Sequence, residues 1–188
     1  MVWLVVGLVL WNVAHLFKSV GHTARARLVQ RIGLDKVQGL VALSVLSAVA
    51  MIVVGWRATT PSALYLPPHW GPHATQTGVL LGLLMLASSL TRNAISTRWR
   101  HPQLTGVALW AAAHLISNGE QRSVLLFGTF AAWAVVTMFA INARDGAWKR
   151  PEPKPAGTLL LPVAITAAGF AAAWFAHPYV IGVRVFWG

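Results

Sequence analysis

Ser123-Val-Leu-Leu-Phe-Gly-Thr-Phe-Ala-Ala-Trp-Ala-Val-Val-Thr-Met-Phe-Ala-Ile-Asn-Ala143 contains no Asp, Glu, Lys or Arg and is bounded by Arg122 and Arg144. Crossing the hydrocarbon core of a bilayer takes about 20 mostly apolar residues, with a range of about 17 to 25. The run therefore predicts a membrane helix, because a lone segment in lipid must satisfy its own backbone hydrogen bonds. Other charge-free stretches lie at 1–17, 37–56, 58–91, 102–119 and 155–183. The 58–91 stretch is too long for one span, and four prolines (Pro61, Pro67, Pro68 and Pro72) mark Pro61–Gly71 as a loop. Six spans follow, near 2–20, 37–56, 76–92, 103–119, 123–143 and 158–177. The expected fold is an all-α, polytopic membrane bundle forming one domain over residues 1–188.

Composition agrees. Hydrophobic residues make up 56% of the 188 and charged residues 10%, against about 25% charge in an ordinary soluble domain. A disordered chain is excluded by the same hydrophobicity. With no cysteine, disulfides, thiolate metal sites, iron–sulfur clusters and thiol nucleophiles are excluded too.

The formal charge of +11 suggests nucleic acid until the basic residues are located. Lys18, Arg25, Arg27, Arg31 and Lys36 follow span one; Arg92, Arg98 and Arg100 follow span three. Arg144, Lys149, Arg150 and Lys154 follow span five, leaving Arg57, Arg122 and Arg184 for the other side. Basic residues near span ends stay in the cytoplasm, so both termini are expected outside, in the inner (cytoplasmic) membrane. The charge is thus a topology signal, and no nucleic-acid partner is expected. A cleaved signal peptide would carry Lys or Arg ahead of its apolar run; here they follow it, so residues 1–20 read as a mature helix. Trp56, Trp70, Trp99 and Trp187 fall near span ends, as in an interfacial aromatic belt. Pro151-Glu-Pro-Lys-Pro155 reads as an extended spacer.

Two segments echo each other. Gly7-Leu-Val-Leu-Trp-Asn-Val-Ala-His-Leu16 in span one and Gly106-Val-Ala-Leu-Trp-Ala-Ala-Ala-His-Leu115 in span four share Gly, Leu, Trp, Ala, His and Leu at equivalent places. Halves of three spans each would be inverted repeats, whereas two Leu- and Ala-rich helices also match by chance. Both copies place Trp four residues before His, on one helical face. An ionisable residue inside a span is a functional candidate, and neutral imidazole is a common ligand of metals and haem iron. No Asp or Glu lies in any span, which argues against a proton relay, a cation carrier or a di-iron carboxylate site. His15 and His114 suit a bis-imidazole haem instead, the alternative being that each hydrogen-bonds a neighbouring helix. At about 1.5 Å per residue His114 lies roughly 16 Å deep, and His15 about 9 Å if span one runs past Lys18. Trp11 and Trp110 would stand one turn away with flat surface to pack beside a porphyrin.

The other histidines carry less. His22 follows His15 by seven residues on the same predicted face but sits among arginines. His69 and His73 belong to the outer Pro-rich loop, and His177 before Pro178 reads as a polar helix end.

Arg100-His-Pro-Gln-Leu-Thr-Gly-Val-Ala-Leu-Trp-Ala-Ala-Ala-His-Leu-Ile-Ser-Asn-Gly119, with Leu126-Phe-Gly128, resembles the signature of the NnrU family of integral membrane proteins. That family takes its name from an association with nitrite and nitric oxide reduction. Span one with His15, Arg31-Ile-Gly33, the Pro-Pro-His-Trp segment and His177-Pro-Tyr-Val-Ile-Gly-Val183 are similar to it as well, so the resemblance covers essentially the whole chain. The 15-cis-zeta-carotene isomerases contain an NnrU-like domain and hold haem b with two histidines, which by motif implies His15 and His114 as iron ligands. The isoprenylcysteine carboxyl methyltransferases share an Arg-His-Pro-x-x-x-Gly pattern, here Arg100, His101, Pro102 and Gly106, which there helps bind S-adenosylmethionine. Both groups continue past span five into a charged amphipathic segment. Here Asn142-Ala-Arg-Asp-Gly-Ala-Trp148 runs into the Pro-rich linker, and only Glu152 remains downstream, which weighs against methyl transfer.

Three functions are therefore carried forward. One is a haem b-binding membrane protein of redox or nitrogen-oxide metabolism, with isomerase-like activity implied by the resemblance and a membrane redox protein as partner. The second is a non-catalytic accessory of a nitrite or nitric oxide reductase system. The third, ranked last, is a methyltransferase. Arg100 and His101 add an expectation of their own. Pro102 fits the first turn of span four, so both would lie at a helix N-terminus, where exposed N–H groups favour anions such as a lipid phosphate or haem propionate. A basic interfacial anchor is the alternative.

Overall fold

A computed structural model describes residues 1–183, Lys18 without its side chain; Arg184 and Trp187 lie outside the described residues. The chain divides into two compact units, Met1–Pro61 and one that begins at Ser62. The boundary falls in the predicted Pro-rich loop, so the first unit holds two of the expected spans rather than half of six.

In the first unit, α1 (Val2–Ser19) packs against α3 (Leu34–Ala58). Leu4 and Leu8 lie one turn apart and are buried, the i, i+4 repeat of a helix face. α1 runs past Lys18, as the depth of His15 requires, and ends where the Val20 and Gly21 N–H groups both donate to the Leu16 carbonyl. The 21–36 segment, expected as a loop, contains α2 (His22–Ile32). The axis turns by 83° between Val2–Phe17 and His22–Ile32, so His22 does not continue the face of His15. Arg25, Leu28, Val29 and Ile32 are part-buried while Arg27 and Arg31 are exposed. That 3–4 spacing makes a basic amphipathic helix, the kind that lies in a membrane interface. Trp56, expected in the aromatic belt, is instead buried.

The second unit contains α4 (Gly71–Ser88), α5 (Pro102–Ser117), α6 (Gln121–Asp145) and α7 (Leu160–Val180), the last entered through a 3-10 turn at Ala156–Leu159. α5 packs against α4 and α6, and α7 against α4. α4 starts five residues before the expected span because Pro72, which needs no N–H partner in a first turn, opens it. α7 runs through Pro178, where the expected span ends at 177. Pro178 lies in the last turn, and Ile181 and Gly182 close the helix on the His177 and Pro178 carbonyls.

Side-chain and backbone bonds tie the loops of this unit into two sets. Leu64 N–H donates to the Gly119 carbonyl at 2.7 Å, Gln121 N–H to Ser62 at 2.8 Å, and the Tyr65 hydroxyl to Leu115. At the other set, Ala94 N–H donates to Thr158 Oγ1 at 3.0 Å and Arg100 Nη1 to the Gly146 carbonyl at 2.7 Å. Buried Asn93 organises that turn, its Oδ1 accepting from Ile95 and Ser96 N–H while Nδ2 donates to the Ser88 carbonyl. Loops expected on one side of the membrane are thus bonded to each other.

Among the described residues three helical stretches are long and apolar enough to cross a membrane: Leu34–Ala58, Gln121–Asp145 and Ala156–Val180. Val2–Phe17 with His22–Ile32 makes a fourth if that bent pair is one span. α4 opens on polar Gly71-Pro-His-Ala-Thr-Gln-Thr77. α5 has 16 residues, about 24 Å of rise against a core about 30 Å thick. Large apolar side chains face outward throughout, with Leu46 68% and Leu160 78% exposed. A soluble protein would not leave them so; lipid accepts them.

Candidate functional site

His15 sits on α1 with Nδ1 2.9 Å from the Trp11 carbonyl. A carbonyl only accepts, so Nδ1 carries the proton and Nε2 keeps the lone pair. His114 on α5 repeats the arrangement, with Nδ1 2.8 Å from the Trp110 carbonyl. A ring N–H given to a backbone carbonyl is the usual support of a metal-ligating histidine, because it fixes the tautomer and aims the other nitrogen.

Ring packing differs between the copies. Trp11 stacks on His15 itself, at 4.0 Å between centroids and 25° between planes. Phe127 of α6 stacks on His114, at 4.4 Å and 21°. Trp110 meets Phe127 and Phe130 edge-on at 5.1 and 5.6 Å. The two indoles therefore pack on protein rings.

His114 also lines a cavity of about 120 Å³ bounded by α4, α5 and α7. Gln76, Trp110, Phe170, Trp174 and His177 share its wall. His177 Nδ1 lies 2.6 Å from the Val183 carbonyl, so its Nε2 is likewise the acceptor. Reading the sequence assigned His177 to a helix end and passed over Gln76. The missed signal was Pro178, which a last turn tolerates, so the helix carries His177 inward before it stops.

Arg100 and His101 stand at the start of α5 as expected, and protein groups engage both. Arg100 holds Gly146, and His101 Nε2 donates to Asn142 Oδ1 at 2.8 Å, joining the start of α5 to the end of α6. Gly106 of the same motif faces α4. A Cβ there would lie 2.6 Å from the Gly82 carbonyl oxygen, so only glycine permits this helix approach. His69 and His73 are exposed. Among the described residues no group of three or more His, Cys, Asp or Glu side chains is placed to hold a metal ion.

A haem can be weighed against these residues. The donors are of the right type: two imidazoles, each with Nδ1–H given to a backbone carbonyl, which makes Nε2 the nitrogen that carries the lone pair. The cavity does not suit the macrocycle, since pockets for drug-sized ligands run to about 300–1,000 Å³ and this one is about 120 Å³. A haem on His114 would lie outside it. Among the described residues no carboxylate lines the cavity with His114. Asp35 lies in the first turn of α3, Glu120 pairs with Arg122, Asp145 with Arg144, and Glu152 sits in the linker.

No curated protein and no solved structure matches the chain. The family model described as NnrU protein matches residues 3–185. This all-helical, membrane-type chain, with its paired Trp-x-x-x-His segments, belongs to the NnrU family.

Proposed function

We propose that this chain is a haem b-binding protein of the inner membrane, serving redox or nitrogen-oxide metabolism, with His15 and His114 as the iron ligands. The observation that carries the reading is the doubled histidine geometry, Nδ1–H held by the carbonyl of the Trp four residues earlier. His15 and His114 would hold the haem, which would supply a one-electron couple. Trp11 and Phe127 hold the two rings in place by stacking. Six membrane helices with both termini outside belong to the proposal. The bonding of Arg100 to Gly146 and of Leu64 to Gly119 supports it, since each joins loops expected on one side. Labelling of a Gln30→Cys variant from outside intact cells would refute that orientation.

The haem test is a visible spectrum of purified protein from cells supplied with a haem precursor. A Soret band that resists detergent exchange is expected, with bound haem falling at least tenfold in both His15→Ala and His114→Ala. A band unchanged in both variants removes these ligands.

A second reading, a non-catalytic accessory of a nitrite or nitric oxide reductase system, draws support from the missing general acid. No carboxylate stands with the histidines, and isomerase-like chemistry has no proton donor of that type. Colourless protein that co-purifies with such a reductase would favour it.

A further inference from the structure

The cavity between α4, α5 and α7, which His114 also lines, is too small for a haem and makes a site of its own. Gln76 is 7% exposed and lines it. Its Oε1 has no hydrogen-bond partner among the described residues. A buried carbonyl oxygen left without a donor costs about 1–3 kcal/mol, so an acceptor kept in this state marks a place where a donor arrives. The neighbouring Thr75 does not supply it: its hydroxyl donates to the Ala113 carbonyl at 2.7 Å and accepts from Ser117. His177 shares the wall with its Nε2 as a second acceptor. His114 completes the polar lining, and the rest is aromatic or apolar, from Val79, Trp110, Phe170, Ala173 and Trp174.

Size and polarity together define the occupant. The volume of about 120 Å³ is close to the roughly 150 Å³ of an engineered apolar cavity that holds one benzene. The acceptors call for a donor, and the absence of a carboxylate or third metal-type ligand leaves a cation uncompensated in an apolar setting. An anion would find no Lys or Arg in the wall. We propose that this cavity binds a neutral hydroxylated aromatic ring, a phenol whose single O–H donates to Gln76 Oε1 or His177 Nε2, or the ring of a hydroquinone whose two O–H groups serve both. The aromatic wall packs the ring, where stacked or edge-on contacts add to the burial of its surface. The ring has two sources, a free phenol or the head of a membrane-dissolved hydroquinone.

The experiment follows indole N–H resonances of the ¹⁵N-labelled full chain in lipid nanodiscs during titration with phenol, benzene and a hydroquinone bearing one short isoprenoid chain. Trp110→Phe and Trp174→Phe variants assign the two signals. Phenol is expected to move both signals and to bind at least tenfold tighter than benzene. Gln76→Leu is expected to abolish that preference and His177→Phe to reduce it. Gln76→Met, closer in shape, serves should the leucine variant not fold. Tighter binding of the tailed hydroquinone assigns the source to the membrane, and equal or weaker binding assigns it to free phenols. Equal midpoints for phenol and benzene, no movement of either signal, or a preference that survives loss of Gln76 overturns the proposal. Haem absorbance read in the same samples keeps the outcomes apart, because Gln76 and His177 are not proposed iron ligands and their replacement leaves any haem colour unchanged.

Discussion

Gly7–Leu16 and Gly106–Leu115 carry the same spaced letters, and their histidines make the same backbone hydrogen bond. Their rings are held differently. His15 is stacked by Trp11 of its own helix, whereas His114 is stacked by Phe127 from α6. Gly7 and Gly106 also share one purpose. A Cβ on Gly7 would meet Ile52 N and Ala48 O at 2.8 and 2.9 Å, and one on Gly106 would meet Gly82 O and Leu86 Cγ at 2.6 and 2.8 Å. Each copy uses its glycine to bring a second helix close, the small-residue packing common between membrane helices. A spacing of eight residues between Gly and His therefore specifies a helix contact and a histidine tautomer. It does not specify what the imidazole faces.

The largest effect expected from breaking this comparison is at Phe127. Phe127→Ala removes a buried ring at a cost of about 3–5 kcal/mol and frees His114. Imidazole nitrogen resonances of the two histidines would show it. A His114 signal that stays in place denies that Phe127 holds its ring.

The glycines come next. Gly106→Ala is expected to destabilise the protein by about 2 kcal/mol through overpacking, and Gly7→Ala by less, because its contacts are longer. Resistance to denaturation in mild detergent measures both. A neutral Gly106→Ala would mean that α4 and α5 do not meet as described.

The smallest effect concerns an interaction that only the second copy has. His101 and Asn142 join α5 to α6 beside the Gly106 segment. A double-mutant cycle with His101→Ala and Asn142→Ala is expected to give a coupling of about 1 kcal/mol, that of one exposed hydrogen bond. Zero coupling would return Arg100 and His101 to the role of interfacial anchors.

Membrane character and the loop at Pro61–Gly71 were legible in the sequence because they depend on composition over 15 to 25 residues, and lipid punishes any charge within such a window. Of the six expected spans, three helices among the described residues are long and apolar enough, or four with the bent pair. The helical Trp-x-x-x-His faces were legible too, since 3.6 residues per turn places residues four apart together in any helix. Tertiary structure alone decided the rest. Whether 22–32 is loop or helix depended on Leu28, Val29 and Ile32 finding α1 and α3 to cover them, an outcome that marginal propensity in a segment of 11 residues does not dictate. Trp56 was expected at the interface and is buried because amphipathic indole suits either place. The cavity was invisible for a related reason. Gln76, His114 and His177 come from three helices separated by dozens of residues, and only packing α4 and α5 side by side, with α7 against α4, sets an orphaned amide oxygen beside two imidazoles.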